Sequence, residues 1–171
     1  MDKNEQTLEQ ARLLATAYHE AGHAVMAISL GRLVKKVTIE PAKLQRGTFR
    51  LGACELQKGR TKAAKDWIED EVLILFAGMV AEARFTGKYC PLGARQDLVA
   101  INRLLQDRAH TEKQMERLHR RLLDKTEHIL WDEKHAEAIE VITRELIEKT
   151  TISGRSVRHL FNQTMQKKSK K

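Results

Sequence analysis

The sequence predicts a mainly α-helical chain with a small β element, an α+β organisation. Three observations carry that prediction. Apolar residues recur at intervals of three and four through most of the chain, the spacing of a helix face. Val34–Glu40 is rich in β-branched residues, and Gly47–Cys54 alternates large and small ones. No internal repeat and no linker rich in Pro, Gly or Ser interrupts the 171 residues, so one domain is expected. Within it, about 8–109 form the motif-bearing region with the small sheet, about 110–166 a helical annex, and 167–171 a basic tail.

Taken in order, residues 1–7 are polar and read as a frayed start. A helix is predicted from about Leu8 to Leu30 by Leu13, Leu14, Ala17, Tyr18, Ala21, Ala24, Val25 and Ile28, with Gly31 as its C-terminal stop. Val34–Glu40 reads as a strand that Pro41 ends. Gly47–Cys54 reads as a second, shorter strand. It is either an edge that offers unpaired backbone groups to an extended peptide, or one arm of a plain hairpin. A long helix follows from about Thr61, its predicted cap, to Thr86. Gly78 in its middle costs about 1 kcal/mol against Ala, which implies close packing on another element. Residues 87–94 are a loop by composition. A further helix is predicted at about 96–109, one or two more over 111–131 and 133–150, and a short last one starts at Ser153 or Gly154.

Composition narrows the function classes. Hydrophobic content of 42% beside 32% charged residues describes a globular chain. The longest apolar run, Val72 to Ala81, is too short to span a bilayer, so no transmembrane segment is expected. The polar N-terminus shows no secretory signal, and the expected compartment is the cytoplasm. Cys54 and Cys90 are then most simply free thiols. The net charge is +8, partly from the lysine tail. Such a run usually means a solvated end. Aromatics make up only 5% and do not interleave with basic residues, which argues against a nucleic-acid partner.

The chemistry concentrates at His19-Glu20-Ala21-Gly22-His23, an H-E-x-x-H pattern of zincin type inside the first helix. Positions i and i+4 lie one above the other on a helix, so His19 and His23 present their imidazoles to one point and can bind Zn²⁺. Glu20, about 100° around the helix, can take a proton from water at the metal. A catalytic zinc site normally needs a third protein ligand. Met26 and Ser29 stand where an extended motif would need Gly and His, so the ligand must come from farther along. By position, Glu69, Glu71, Glu82 and Asp97 are all candidates. The remaining histidines, His110, His119, His128, His135 and His159, show no ligand spacing and read as surface residues.

Three segments together resemble the peptidase domain of the FtsH family, the ATP-dependent, membrane-bound zinc proteases. They are Ala17–Val25 around the motif, Val34–Pro41, and Phe76–Glu82 followed by Gly93-Ala94-Arg95-Gln96-Asp97-Leu98. Thr151-Ile152-Ser153-Gly154 adds a weaker likeness, and the resemblance runs over roughly residues 11–165. It implies Asp97 as the third zinc ligand and Glu20 as the general base. It also implies hydrolysis of peptide bonds and a family habit of hexameric rings. The sequence departs from the family at Cys90-Pro91-Leu92 and at Gln96, where the family carries Asn. No G-x-x-x-x-G-K-[ST] occurs in it, so ATP dependence would need a separate ATPase partner.

The expected function is therefore a zinc-dependent endopeptidase acting on unfolded or short polypeptides. Its rival is a peptidase-like module that binds zinc or peptide and assembles with an ATPase or other partner, docking through the helical annex. Glu82 is a candidate to orient a ligand histidine; otherwise it is a solvated carboxylate at the edge of the core.

Overall fold

A computed structural model describes residues 3–44 and 49–167. Gly47 and most of the basic tail lie outside the described residues. The architecture is mainly α with a small antiparallel sheet, as the periodicity predicts.

Helix α1 (Lys3–Ser29) carries the H-E-x-x-H motif and begins five residues before the expected start. Its first turns are exposed; its second half is buried, with Ala17, Ala21, Ala24 and Val25 wholly inaccessible. Strand β1 (Arg32–Thr38) follows the turn at Gly31, whose φ of +79° suits glycine. Strands β2 (Ala42–Lys43) and β3 (Phe49–Arg50) make a short two-stranded ladder. The second long strand, β4 (Ala53–Arg60), lies six residues farther along the chain than the predicted Gly47–Cys54. Its exposed residues, Gln57, Lys58 and Gly59, are consecutive rather than alternating, so no period of two betrays it. Strand β5 (Thr151–Ser153), unpredicted because it is so short, completes a three-stranded sheet in the order β4-β1-β5. Both neighbours run antiparallel to β1, pairing Val37 with Cys54 on one side and with Ile152 on the other.

Helix α2 (Trp67–Thr86) starts six residues after the predicted Thr61. Asp66 caps it instead, accepting from the backbone N–H groups of Ile68 and Glu69 at 3.1 Å each. Thr61 ties the end of β4 back to the α1–β1 turn, its N–H bonding the Gly31 carbonyl at 2.7 Å. Helix α3 (Arg95–Leu105) ends before the expected Ala109. Past its end, Arg108 reaches back to the Asp66 carboxylate, with one bond at 2.8 Å. In the annex, α4 (Glu112–Leu130) and α5 (Glu133–Lys149) are two separate helices over the stretch expected to hold one or two, and α6 (Gly154–Gln166) is the expected last one. Two histidines there are half-buried and have partners. His119 packs its ring edge-on against Phe76, and His135 bridges Asp132 and Ser29.

Small residues set the geometry at the centre. At Gly22 an added Cβ would lie 2.4 Å from the Ala77 carbonyl oxygen and 2.6 Å from the Ala81 Cβ. Helices α1 and α2 therefore cross backbone against backbone, which brings the motif face of α1 onto the middle of α2. Gly154 is as tight, since a Cβ there would meet the Val34 carbonyl oxygen at 1.8 Å, and this closeness seats α6 against β1.

Candidate metal centre

The crossing of α1 and α2 decides what surrounds the motif. His23 is buried, and its Nδ1–H donates to the Ile74 carbonyl oxygen on α2 at 2.7 Å. His19 turns its Nδ1 to Glu82 Oε2, also on α2, at 3.0 Å. Each ring is thus fixed through Nδ1, so both present Nε2 inward, with centroids 4.7 Å apart. Such partners on the far ring nitrogen orient metal-binding imidazoles. Gly78 makes the arrangement possible. An added Cβ would sit 2.6 Å from His19 Nε2 and 2.5 Å from His23 Nε2, so only glycine lets α2 pass beneath both rings. The close packing expected at this glycine is against the two histidines themselves.

Asp97 closes the cluster from the first turn of α3. Its Oδ2 lies 3.0 Å from His19 Nε2 and 3.4 Å from His23 Nε2. One ligand atom from each residue falls within 4.8 Å of the others. Two donors bound at about 2.0–2.1 Å on a tetrahedral zinc stand about 3.3 Å apart, so the spacing and the N,N,O donor set both fit that ion. Burial disfavours a charged His19, but hydrogen bonds with Asp97 and Glu82 outweigh it and push its pKa up to about 10. Burial likewise raises Asp97, yet the two histidines hold its carboxyl well below the usual range. The electron pairs that share a proton here are those a divalent cation would use.

Glu20 is buried beside the cluster, 7% exposed. Burial raises its pKa and the two histidines pull it back down. Gly52, leading into β4, rests on it: a Cβ there would come within 2.8 Å of Glu20 Oε1 and 2.9 Å of Thr16 Cγ2. The sequence did not mark Gly52; its one signal was a glycine at the edge of a strand-like stretch.

The other candidate acids are engaged elsewhere. Glu71 pairs with Arg32 at 2.8 Å, and Glu69 with Arg121 and Lys125 on α4. All of the cluster opens into a cleft of about 830 Å³. Its far wall includes Ala53, Cys54 and Leu56 of β4, whose outer edge has no strand partner among the described residues. Both cysteines are free and line this cleft. Cys54 is half-buried, and desolvation pushes its thiol pKa up, which disfavours the reactive thiolate. Among the described residues no helix is long and apolar enough to cross a membrane.

Comparison with known proteins bears on the same region. The sequence model of peptidase family M41 matches residues 6–109, from α1 to the turn after α3, and stops short of the annex. Three curated relatives are all named ATP-dependent zinc metalloprotease FtsH. The protein from Protochlamydia amoebophila is 35% identical over 91 residues, covering 52% of this chain and 10% of its own. That from Metamycoplasma arthritidis is 36% identical over 106 residues, 60% of this chain and 14% of its own. That from Chlamydia trachomatis is 33% identical over 95 residues, 53% of this chain and 10% of its own. The matched stretch thus spans only about a tenth of the length of these relatives.

Proposed function

This chain belongs to peptidase family M41, and from that premise we propose that it is a zinc-dependent endopeptidase cleaving unfolded or short polypeptides. His19, His23 and Asp97 hold the metal, Glu20 is the general base, and Glu82 orients His19. The observation that carries this reading is the convergence of two Nε2 atoms and one carboxylate oxygen, with a buried carboxylate beside them at the floor of an open cleft.

Zinc held there supplies Lewis acidity, which draws the pKa of water toward about 7 and stabilises negative charge on the scissile carbonyl oxygen. The protein does the rest. The open edge of β4 pairs with an extended polypeptide main chain and lays it across the cluster. Phe49, Leu51 and Leu92, all exposed on the cleft wall, offer apolar contact to its side chains. Glu20 accepts the proton of the attacking water and passes it to the departing amine. Asp97, in the first turn of α3, keeps its negative charge at the favourable end of the helix dipole. Folded substrates would have to be opened first, and an ATPase is the partner suited to that step.

The test joins metal content to cleavage. The protein reconstituted with zinc should hold one ion per chain and degrade unfolded casein. Glu20→Gln should keep the ion while kcat/KM falls by about 10²–10⁴-fold. Zinc bound without cleavage in the parent would favour the rival module, and failure to bind zinc would sink the site.

A further inference from the structure

Apart from Glu20, the acids of the metal cleft are paired, and three of its cations are not. Glu71 is paired with Arg32, and Glu82 and Asp97 are taken up by the histidines. Arg12 on α1, Arg50 on β3 and Arg95 at the start of α3 line the same cleft. None of the three forms an ion pair or a side-chain hydrogen bond among the described residues. Arg50 is the most telling. It is half-buried, and its Nε is shut off from solvent with no hydrogen-bond partner. Arg50 and Glu20 line the same cleft. A guanidinium donor buried without an acceptor is costly unless a ligand supplies one. The fork of a guanidinium also matches a carboxylate in particular.

The geometry points to a carboxylate-recognition subsite, with Arg50 at its centre and Arg12 and Arg95 at its rim, that selects polypeptides bearing an acidic group beside the scissile bond. The inference rests on the peptidase reading and names the substrate class for it. The carboxylate could come from an Asp or Glu side chain or from the free C-terminus of a short peptide; Arg50 recognises the same chemistry in both. The unpaired guanidinium charges make the cleft a counter-charge for such substrates, and part of the selectivity should fade as salt screens the rim.

The experiment uses zinc-loaded Glu20→Gln protein, which binds without turnover, and a short labelled peptide of neutral residues. One Glu or one Gln is placed at successive positions, and each peptide is made as the C-terminal amide and as the free acid. Fluorescence anisotropy should show the best-placed Glu amide binding about ten-fold tighter than its Gln counterpart. That ratio should collapse toward one when Arg50→Gln is added, and fall in part with Arg95→Gln or Arg12→Gln. Arg155→Gln on α6, which removes the same charge outside the cleft, should leave it unchanged. If the free acid of the neutral peptide gains the affinity instead, the C-terminal carboxylate is the group recognised. Equal binding of Glu and Gln peptides as amides, with no gain for the free acid, would overturn the subsite. So would a ratio indifferent to Arg50→Gln. In the active protein, a shift of the pH profile by Arg50→Gln that is equal for Glu and Gln substrates would also overturn it, since Arg50 would then serve Glu20 alone. Absence of cleavage by the zinc-loaded parent would fall on the peptidase reading, and the binding ratio would still decide the subsite.

Discussion

At the scale of residues, the ligand atoms were easier to read than the atoms that aim them. His19, Glu20 and His23 are adjacent in sequence, and helical geometry alone puts the histidines on one face. Gly78 and Glu82 lie on another helix, and nothing in their local pattern says which residues they touch. Yet they hold the site's geometry: Glu82 fixes one imidazole at 3.0 Å, and Gly78 leaves room for both. Glu82→Gln should weaken zinc binding by about 10–100-fold, measured by competition with a chromogenic chelator. Gly78→Ala should do at least as much harm, because its Cβ falls 2.5–2.6 Å from both Nε2 atoms and the rings must turn away. Since the added methyl also favours helix, by up to about 1 kcal/mol, circular dichroism should show α2 intact while the metal is lost. Unchanged zinc affinity in both variants would mean that the imidazoles are aimed by something else.

At the scale of elements, the long amphipathic helices were legible and their ends were not. Thr61 and Asp66 are both respectable caps; tertiary contacts chose between them, because Thr61 is drawn to the α1–β1 turn and Asp66 to Arg108. Strand β5 exists only because β1 pairs with it, and a three-residue strand leaves no periodicity to detect. The cap gives a pH prediction. The hydrogen bond from Arg108 is the main influence holding the Asp66 pKa down to about 2, against 3.8 for a free side chain. A depressed carboxyl contributes stability above its unfolded pKa and loses it as pH falls through the folded one. The contribution of Asp66 is therefore complete above about pH 4 and gone near pH 2. Asp66→Ala should cost about 1 kcal/mol near neutral pH. Asp66→Asn, which still caps, should cost less. The ion pair is at the surface and adds little. Denaturant titrations should show the gap between parent and Asp66→Asn closing between pH 4 and 2; a constant gap would leave the charge without a role.

At the scale of the whole molecule, the site joins parts of the chain that local pattern cannot join. His19 and Asp97 are 78 positions apart, and four acids were open as third ligand until a family resemblance singled out Asp97. The fold brings it to the histidines by crossing α1 on α2 and returning α3 over the cleft. A cation bound there bridges the start of the matched region to its end, and it binds only when that crossing is made. Such a ligand stabilises the folded state by about 4 kcal/mol at a thousandfold excess over its Kd. For a chain of this size, each kcal/mol raises Tm by about 2–4 °C. Saturating zinc should therefore raise the melting temperature on the order of 10 °C over the chelator-treated protein, read by calorimetry. Glu20→Gln should keep that rise, because it removes no ligand. His23→Ala and Asp97→Ala should each lose most of it, although one ligand lies on α1 and the other on α3. Equal loss from the two ends of the matched region would show that one ion ties them. A full rise surviving in Asp97→Ala would place the metal on the histidines with a different third ligand, and Glu82, 3.0 Å from His19, would be the first residue to examine.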